Sequence, residues 1–287
     1  MAMTGAARLA GIMGWPIAHS RSPALHGFWL QEHGIDGAYV PLAVAPEKLE
    51  QALRALPALG FSGCNLTIPH KQAALRIVDR VDEFARRIGA MNTVVVGPDG
   101  GLEGSNTDGF GFRENLREQA PDWRATAGPA VVLGAGGAAR SVVAALSVAG
   151  VSEIRLANRT NDHAAALARD LAAPETRITV HRWQQRAEVL ADAGILVNTT
   201  SLGMEKEPPL DIDLAALPRS AVVVDIVYVP LETGLLAAAR RRGNLAVDGL
   251  GMLLHQGRPG FAAWFGLAPE VTPALRQAML ATFGKAG

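Results

Sequence analysis

The chain has 287 residues, 49% of them hydrophobic and 19% charged, with 27 basic against 27 acidic side chains and a formal net charge of zero. That balance argues against nucleic acid or an anionic membrane as the main partner, because both call for a basic surplus. The length is comfortable for two domains, and a single cysteine, Cys64, excludes an internal disulfide and fits a reducing compartment.

In chain order, the first segment, MAMTGAARLAGIMGWP, has one basic residue before an apolar run broken by Gly11, Gly14 and Pro16. It does not read as a signal peptide. No stretch approaches the roughly 18 uncharged apolar residues of a membrane span. A soluble, cytoplasmic protein is the expectation. Strand-like runs follow at 9–14, 38–44, 63–68 and 92–96, with helical patterns at 23–33, 46–58 and 70–89, the last interrupted near Asp79. A polar, glycine-rich passage, GPDGGLEGSNTDG, covers 97–109. A second series has strands at 130–134, 153–158, 178–183, 194–200 and 221–228, again with helix-like segments between. This alternation predicts an α/β protein with parallel sheets and helical crossovers. The best boundary lies near Thr107. It separates an N-terminal α/β domain, 1–107, from a doubly wound nucleotide-binding domain of the Rossmann type, 108–249. From about Gly249 the pattern is two helical stretches, and 250–287 is expected to complete the first domain.

Three stretches carry chemistry. In NLTIPHK, residues 65–71, Asn65 and Thr67 alternate with Leu66 and Ile68, so a strand would put the two polar side chains on one face. Pro69 suits a first helical position, and Ala73, Ala74, Ile77 and Val78 recur at helical spacing. Lys71 then falls in the first turn, where the helix dipole disfavours a cation by roughly 0.3–1 kcal/mol. Taken alone, these seven residues read more simply as an edge strand and a solvated surface lysine. VVLGAGGAAR, from Val131, places Gly134, Gly136 and Ala139 in a G-x-G-x-x-A pattern between an apolar strand and an amphipathic helix. The first glycine allows the turn, the second lets backbone approach a pyrophosphate, and the small third residue lets helix and strand pack. The helix N-terminus then faces the phosphate charge. The next strand ends in Asn158, Arg159 and Thr160, with no carboxylate to accept from a ribose 2′-hydroxyl or to repel a 2′-phosphate. Arg159 can pair with that phosphate or lie over the adenine, which favours NADP. The histidines His19, His26, His33, His70, His163, His181 and His255 show no metal-ligand spacing, so no metal site is expected. Cys64 reads as a small buried hydrophobe.

Several further segments, taken with these, resemble one family. GWPIAHSRSPALH carries Ser20 and Ser22; NLTIPHK carries Asn65, Thr67 and Lys71; GAMNTV carries Asn92; SNTDGFG carries Asp108. GAGGAAR carries Gly134, Ala135, Gly136, Gly137 and Ala138, and NRT carries Asn158, Arg159 and Thr160. NTTSLGM follows a strand, DIVYVP carries Ile226 and Tyr228, and DGLGMLLHQG carries Gly249 and Gln256. In this order they are similar to the shikimate dehydrogenase family over nearly the whole chain. The resemblance implies NADP-dependent oxidation of shikimate to 3-dehydroshikimate in aromatic amino-acid biosynthesis. It implies Lys71 and Asp108 as the catalytic pair. Ser20, Ser22, Asn65, Thr67, Asn92, Tyr228 and Gln256 would bind substrate. The glycine loop, the NRT segment, Ile226 and Gly249 would bind cofactor. A homodimer stays open. The chemistry is consistent: a ligand with one carboxylate and three hydroxyls calls for neutral donors and acceptors, and two serines two positions apart suit the carboxylate. Simpler roles compete at each position. Ser22 or Asp108 would serve as a helix cap, Asn92 would close a turn, and Tyr228 would be a core aromatic. The chain departs from the family at His163, where strict NADP users often carry a second basic residue, and at Ile226, where methionine is common. The alternatives are a quinate or quinate/shikimate dehydrogenase using NAD(P), and a catalytically silent NADP-binding sensor.

Overall fold

The computed structural model describes residues 3–283, so the ends of the predicted domains at 1–2 and 284–287 lie outside the described residues. The chain divides into two compact units, Met1–Thr107 with Leu254–Gly287, and Asp108–Leu253.

The first unit runs β1 (Arg8–Gly14), α1 (Ser22–Glu32), β2 (Gly37–Ala43), α2 (Leu49–Ala55), β3 (Phe61–Leu66), α3 (His70–Ala73), β4 (Arg80–Val81), α4 (Glu83–Ile88), β5 (Thr93–Val96) and β6 (Leu102–Ser105). Its six-stranded sheet has the order β2-β1-β3-β5-β6-β4. β1 pairs parallel with β2 and β3, but β5 is antiparallel to both β3 and β6. The expectation of a purely parallel sheet fails here. Gly97 and Gly101 close a tight turn, Gly97 N–H donating to Gly101 O at 2.8 Å, and so short a connection joins strands only as a hairpin. β6 lies inside the polar, glycine-rich passage, where no strand was expected. Its sequence, LEGS, has no β-branched residue, and Gly104 packs so closely on Met91 that an added Cβ would meet Met91 Cε at 2.5 Å.

The helix expected over 70–89 is also divided. It survives as α3, a 3₁₀ turn over Ala74–Arg76, and α4. Asp79 breaks it by taking other partners: its carboxylate accepts from Leu102 N–H at 2.8 Å and from Arg54 at 2.6 Å. Arg80 then bonds Glu103 on β6 at 2.8 Å.

The second unit follows the predicted alternation: α5 (Asp108–Gln119), β7 (Ala130–Leu133), α6 (Gly137–Val148), β8 (Glu153–Asn158), α7 (Asn161–Asp170), β9 (Arg177–Arg182), β10 (Ile195–Asn198), β11 (Val222–Asp225), α8 (Gly234–Arg242) and β12 (Ala246–Val247). All its strand pairs are parallel, in the order β12-β11-β10-β7-β8-β9. Counted within the unit this is 3-2-1-4-5-6, the doubly wound arrangement. Every residue of β7, β10 and β11 is buried, as expected for central strands covered on both faces. α9 (Leu250–Phe265) and α10 (Pro273–Leu280) end the chain, and α9 belongs to the first unit from Leu254 onward. There Trp264 Nε1 donates to Val94 O on β5 at 2.9 Å, and Trp29 Nε1 on α1 donates to Glu270 O at 3.1 Å.

Candidate active site

The predicted substrate segments of the first unit sit at the C-terminal ends of β1 and β3. β3 stops at Leu66, so alternation ends before Thr67, and Leu66 and Ile68 do not share a face: Leu66 is buried and Ile68 is 76% exposed. The chain turns because Thr67 N–H donates to Met13 O at 3.0 Å and His70 N–H to Thr67 O at 2.8 Å. Pro69 precedes α3 instead of opening it. With only four residues, α3 aligns few peptide dipoles under Lys71, and the expected dipole penalty shrinks accordingly. Lys71 is half-buried, and its carbonyl accepts from Met91 N–H at 2.9 Å, which joins it to the approach to β5.

Asn65 has its amide fully engaged inside the protein. Its Nδ2 donates to Asn92 O at 3.0 Å and to Thr93 Oγ1 at 3.1 Å, and its Oδ1 accepts from the Tyr39 hydroxyl at 2.6 Å. Asn92 closes no local turn. Its Oδ1 accepts from Thr107 N–H at 2.9 Å and from Thr93 Oγ1 at 3.0 Å, and its Nδ2 donates to Thr107 Oγ1 at 3.1 Å. Thr67 is half-buried beside Gly14. Ser22 is the first residue of α1 and its side chain does not cap the helix. Its amide donates to Ser20 Oγ at 3.3 Å. Ser20 and Ser22 are thus neighbours, as their spacing suggests. Gln256 is half-buried on α9. Sequence reasoning passed over Tyr39, Thr93 and Thr107. The available signal was Tyr39 itself, one of two tyrosines in the chain, on a strand beside the substrate segments.

In the second unit, Asp108 opens α5 and is 2% exposed. The glycine loop lies between β7 and α6. Gly134 adopts φ +105°, and a Cβ there would meet Thr199 Oγ1 at 2.8 Å, so the first glycine is required by backbone and contact alike. Gly136 and Gly137 differ: a Cβ on either would meet nothing within 4 Å. No side chain caps the N-terminus of α6, which Gly136 precedes, while Ala139 is fully buried against the sheet. Open space beside an uncapped helix N-terminus, at the ends of β7 and β10 where the strand order reverses, is what a dinucleotide pyrophosphate needs. Asn158, Arg159 and Thr160 close β8. Asn158 Nδ2 donates to Thr160 O at 2.7 Å, and Arg159 and Thr160 are exposed, as is His163 in the first turn of α7. The donor set fits a cofactor with a 2′-phosphate.

The loops after β10 and β11 are held by a buried carboxylate. Asp225 Oδ1 accepts from Asn198 Nδ2 at 3.0 Å and from Val227 N–H at 3.1 Å, and Oδ2 accepts from Thr233 Oγ1 at 2.7 Å. Burial pushes the Asp225 carboxyl up from 3.8 to about 6, against the opposing pull of those hydrogen bonds. The loop it secures carries Ile226, whose amide donates to Asn198 O at 3.1 Å, and half-buried Tyr228. Gly249 packs on the backbone of Ile226 with no room for a side chain.

Comparison with known proteins covers both units. The profile described as the shikimate dehydrogenase substrate binding domain matches residues 12–94, and that described as shikimate / quinate 5-dehydrogenase matches 118–226. A shikimate dehydrogenase (NADP(+)) of Paramagnetospirillum magneticum is 63% identical over 278 residues, 97% of this chain and 100% of that protein. The structure of the Thermus thermophilus shikimate 5-dehydrogenase in complex with NADP(H) and shikimate has a TM-score of 0.84 and 37% identity, covering 96% of this chain and 99% of that one. A quinate dehydrogenase from Corynebacterium glutamicum in complex with NAD has a TM-score of 0.89 and 34% identity, covering 96% and 99%.

Proposed function

From the premise that the chain belongs to the shikimate dehydrogenase family, we infer which of its residues carry the reaction. It is an oxidoreductase that catalyses the reversible, NADP-dependent oxidation of shikimate to 3-dehydroshikimate, a step of aromatic biosynthesis. Identity of 63% to a shikimate dehydrogenase (NADP(+)) over 97% of this chain is the observation that carries the reading.

We assign Lys71 and Asp108 to proton transfer. A secondary alcohol gives up a hydroxyl proton as well as a hydride, and a lysine with a carboxylate can take and relay that proton. Bound NADP supplies the hydride acceptor. Ser20 and Ser22 hold the substrate carboxylate, and Thr67, Asn92, Tyr228 and Gln256 its hydroxyls. Asn65, whose amide is engaged internally, serves the site by fixing its neighbours. Gly134, Ala135, Gly136, Gly137 and Ala138 form the phosphate loop, and Asn158, Arg159 and Thr160 the 2′-phosphate end. Ile226 and Gly249 line the nicotinamide side. In this reading residues 1–107, completed by 250–287, form the substrate domain and 108–249 the NADP domain.

Among the described residues no helix is long and apolar enough to cross a membrane. With one cysteine, which fits a reducing compartment, we place the enzyme in the cytoplasm, and sedimentation at working concentration will decide whether it is a dimer. The test of function is nicotinamide absorbance with shikimate and quinate, each with NADP and NAD. Shikimate with NADP should give the highest kcat/KM. A higher value for quinate with NAD overturns the substrate and cofactor reading together.

A further inference from the structure

In the second unit, α5 and α6 pack against each other but leave a gap between their C-terminal halves. Phe112 and Leu116 lie four residues apart on α5, Ala120 follows just past its end, and all three are buried. The facing turns of α6 offer Ala145 and, at the helix end, Ala149, with Leu146 beside them. Three alanines leave unfilled what larger side chains would occupy, and a cavity of about 250 Å³ remains. Trp123 forms part of its wall because the chain turns back after α5. Ala120 N–H donates to Leu116 O at 2.8 Å and Trp123 N–H to Ala120 O at 3.0 Å. Arg124 Nη1 braces that turn, donating to Pro121 O at 2.6 Å and to Trp123 O at 2.9 Å. The cavity is separate from the site described above. Ala145 lies more than two turns along α6 from Gly137, about 12 Å at 1.5 Å per residue. Neither Asp108 nor any residue of the glycine loop lines it.

The floor and walls are apolar, and the charged side chains lining the cavity are Arg113, Arg117 and Arg124, all exposed at its rim. No carboxylate is among the lining residues. Arg117 pairs with Glu114 at 2.6 Å, and Arg124 commits one nitrogen to the turn. Arg113 has no such tie among the described residues. An apolar pocket with two available guanidinium groups at its mouth calls for an amphipathic anion. The fork of a guanidinium matches the two oxygens of a carboxylate. Phe112 and Trp123 favour a ring as the apolar body. The volume lies just below the roughly 300–1,000 Å³ of pockets for drug-sized ligands, so one ring and a short side chain fit it.

We propose that this cavity is a second ligand site, which binds a small aromatic carboxylate with its ring on the apolar floor against Trp123 and its carboxylate on Arg113 and Arg124. The probe is 3-(4-fluorophenyl)propionate, followed by its fluorine resonance. Saturating shikimate and NADPH, a pair that does not react, keep the reaction site filled during the titration. The wild-type enzyme should bind the probe with a Kd in the millimolar range or tighter, as expected for a ligand of this size. The matching alcohol, 3-(4-fluorophenyl)propan-1-ol, has the same ring without the charge and should bind at least about fivefold more weakly. That comparison needs no variant. Arg113→Gln combined with Arg124→Gln should raise the Kd for the acid about five- to tenfold and leave that for the alcohol within about twofold. Ala149→Phe, which sets a ring in the mouth at an exposed position, should weaken acid and alcohol alike by more than tenfold. Four outcomes overturn the proposal: binding lost once shikimate and NADPH are present, equal affinity for acid and alcohol, indifference to Ala149→Phe, or a dimer in sedimentation that Ala149→Phe dissociates. The last would mean that a second copy of the chain covers the cavity.

Discussion

At the scale of single residues, Lys71 and Asp108 differ in what they should do from the serines and Arg159. Proton transfer contributes typically 10²–10⁴-fold to a rate. Lys71→Ala should therefore lower kcat by about that range with a smaller change in KM, and Asp108→Asn should behave similarly. Steady-state kinetics decide it, since near wild-type kcat in Lys71→Ala would return the residue to the role of a surface lysine. Arg159 is a binding residue and should give the opposite split. It is exposed at the end of β8, and the adjoining histidine, His163, is a weaker partner for a phosphate than a second arginine. Loss of a charge-assisted contact costs about 1.5–3 kcal/mol, so Arg159→Ala should raise the KM for NADP by about one to two orders of magnitude. The KM for NAD, which has no 2′-phosphate, should hardly move. Unchanged preference for NADP over NAD would mean that the phosphate is read elsewhere.

At the scale of elements, two glycines of one loop have separable tasks. Gly134 is demanded by the fold: its φ is +105° and Thr199 stands against it. Gly136 is not, since its backbone is extended, with φ −84° and ψ −170°, and space around it is open. Gly134→Ala should lower the thermal midpoint without cofactor by several degrees, from about 1–3 kcal/mol of backbone strain plus the contact. Gly136→Ala should leave that midpoint within about 2 °C but weaken NADP binding and its stabilising effect, because the added methyl occupies the space of the pyrophosphate. Equal midpoints for the two variants would show that the first glycine is no more constrained than the second. The loop was legible from sequence because strand, turn and helix agree with one another over VVLGAGGAAR. The same consistency made β7 to β11 legible. Legibility failed where distant residues decided the local outcome. Asp79 ended a helix-like pattern by bonding Leu102 and Arg54, and LEGS became a strand only by pairing with β5 over Met91. Asn65 was visible as a polar residue on a strand, but the Tyr39 hydroxyl that occupies its acceptor comes from 26 residues away. A periodicity argument has no access to such a partner.

At the scale of the whole molecule, each unit has its own core. One is built on Leu49, Leu53, Leu66 and Val94, the other on Val131, Leu133, Leu196 and Val223. A titration confined to one core should therefore act on that unit's unfolding. Asp225 is such a group, fully buried between the loops after β10 and β11. Its folded pKa is about 6, raised from 3.8 chiefly by burial. Between those values the folded chain keeps a proton that the unfolded chain has released. Unfolding then releases protons, so the stabilising contribution is complete below about pH 4 and is lost as pH rises through about 6. The rise from 3.8 to about 6 corresponds to roughly 3 kcal/mol of lost stability above the window. Asp225→Asn removes the ionisation and keeps the shape. Its Oδ1 can still accept from Asn198 and Val227, and its amide can donate to Thr233 once that hydroxyl turns. Urea unfolding of both proteins from pH 4 to pH 7 cancels the titrations they share. The stability of Asp225→Asn relative to wild type should climb by about 3 kcal/mol across that range, in the transition of the second unit where two are resolved. A difference that stays level from pH 4 to pH 7 would mean that Asp225 is ionised throughout, held by Thr233, Val227 and Asn198 more strongly than burial opposes it.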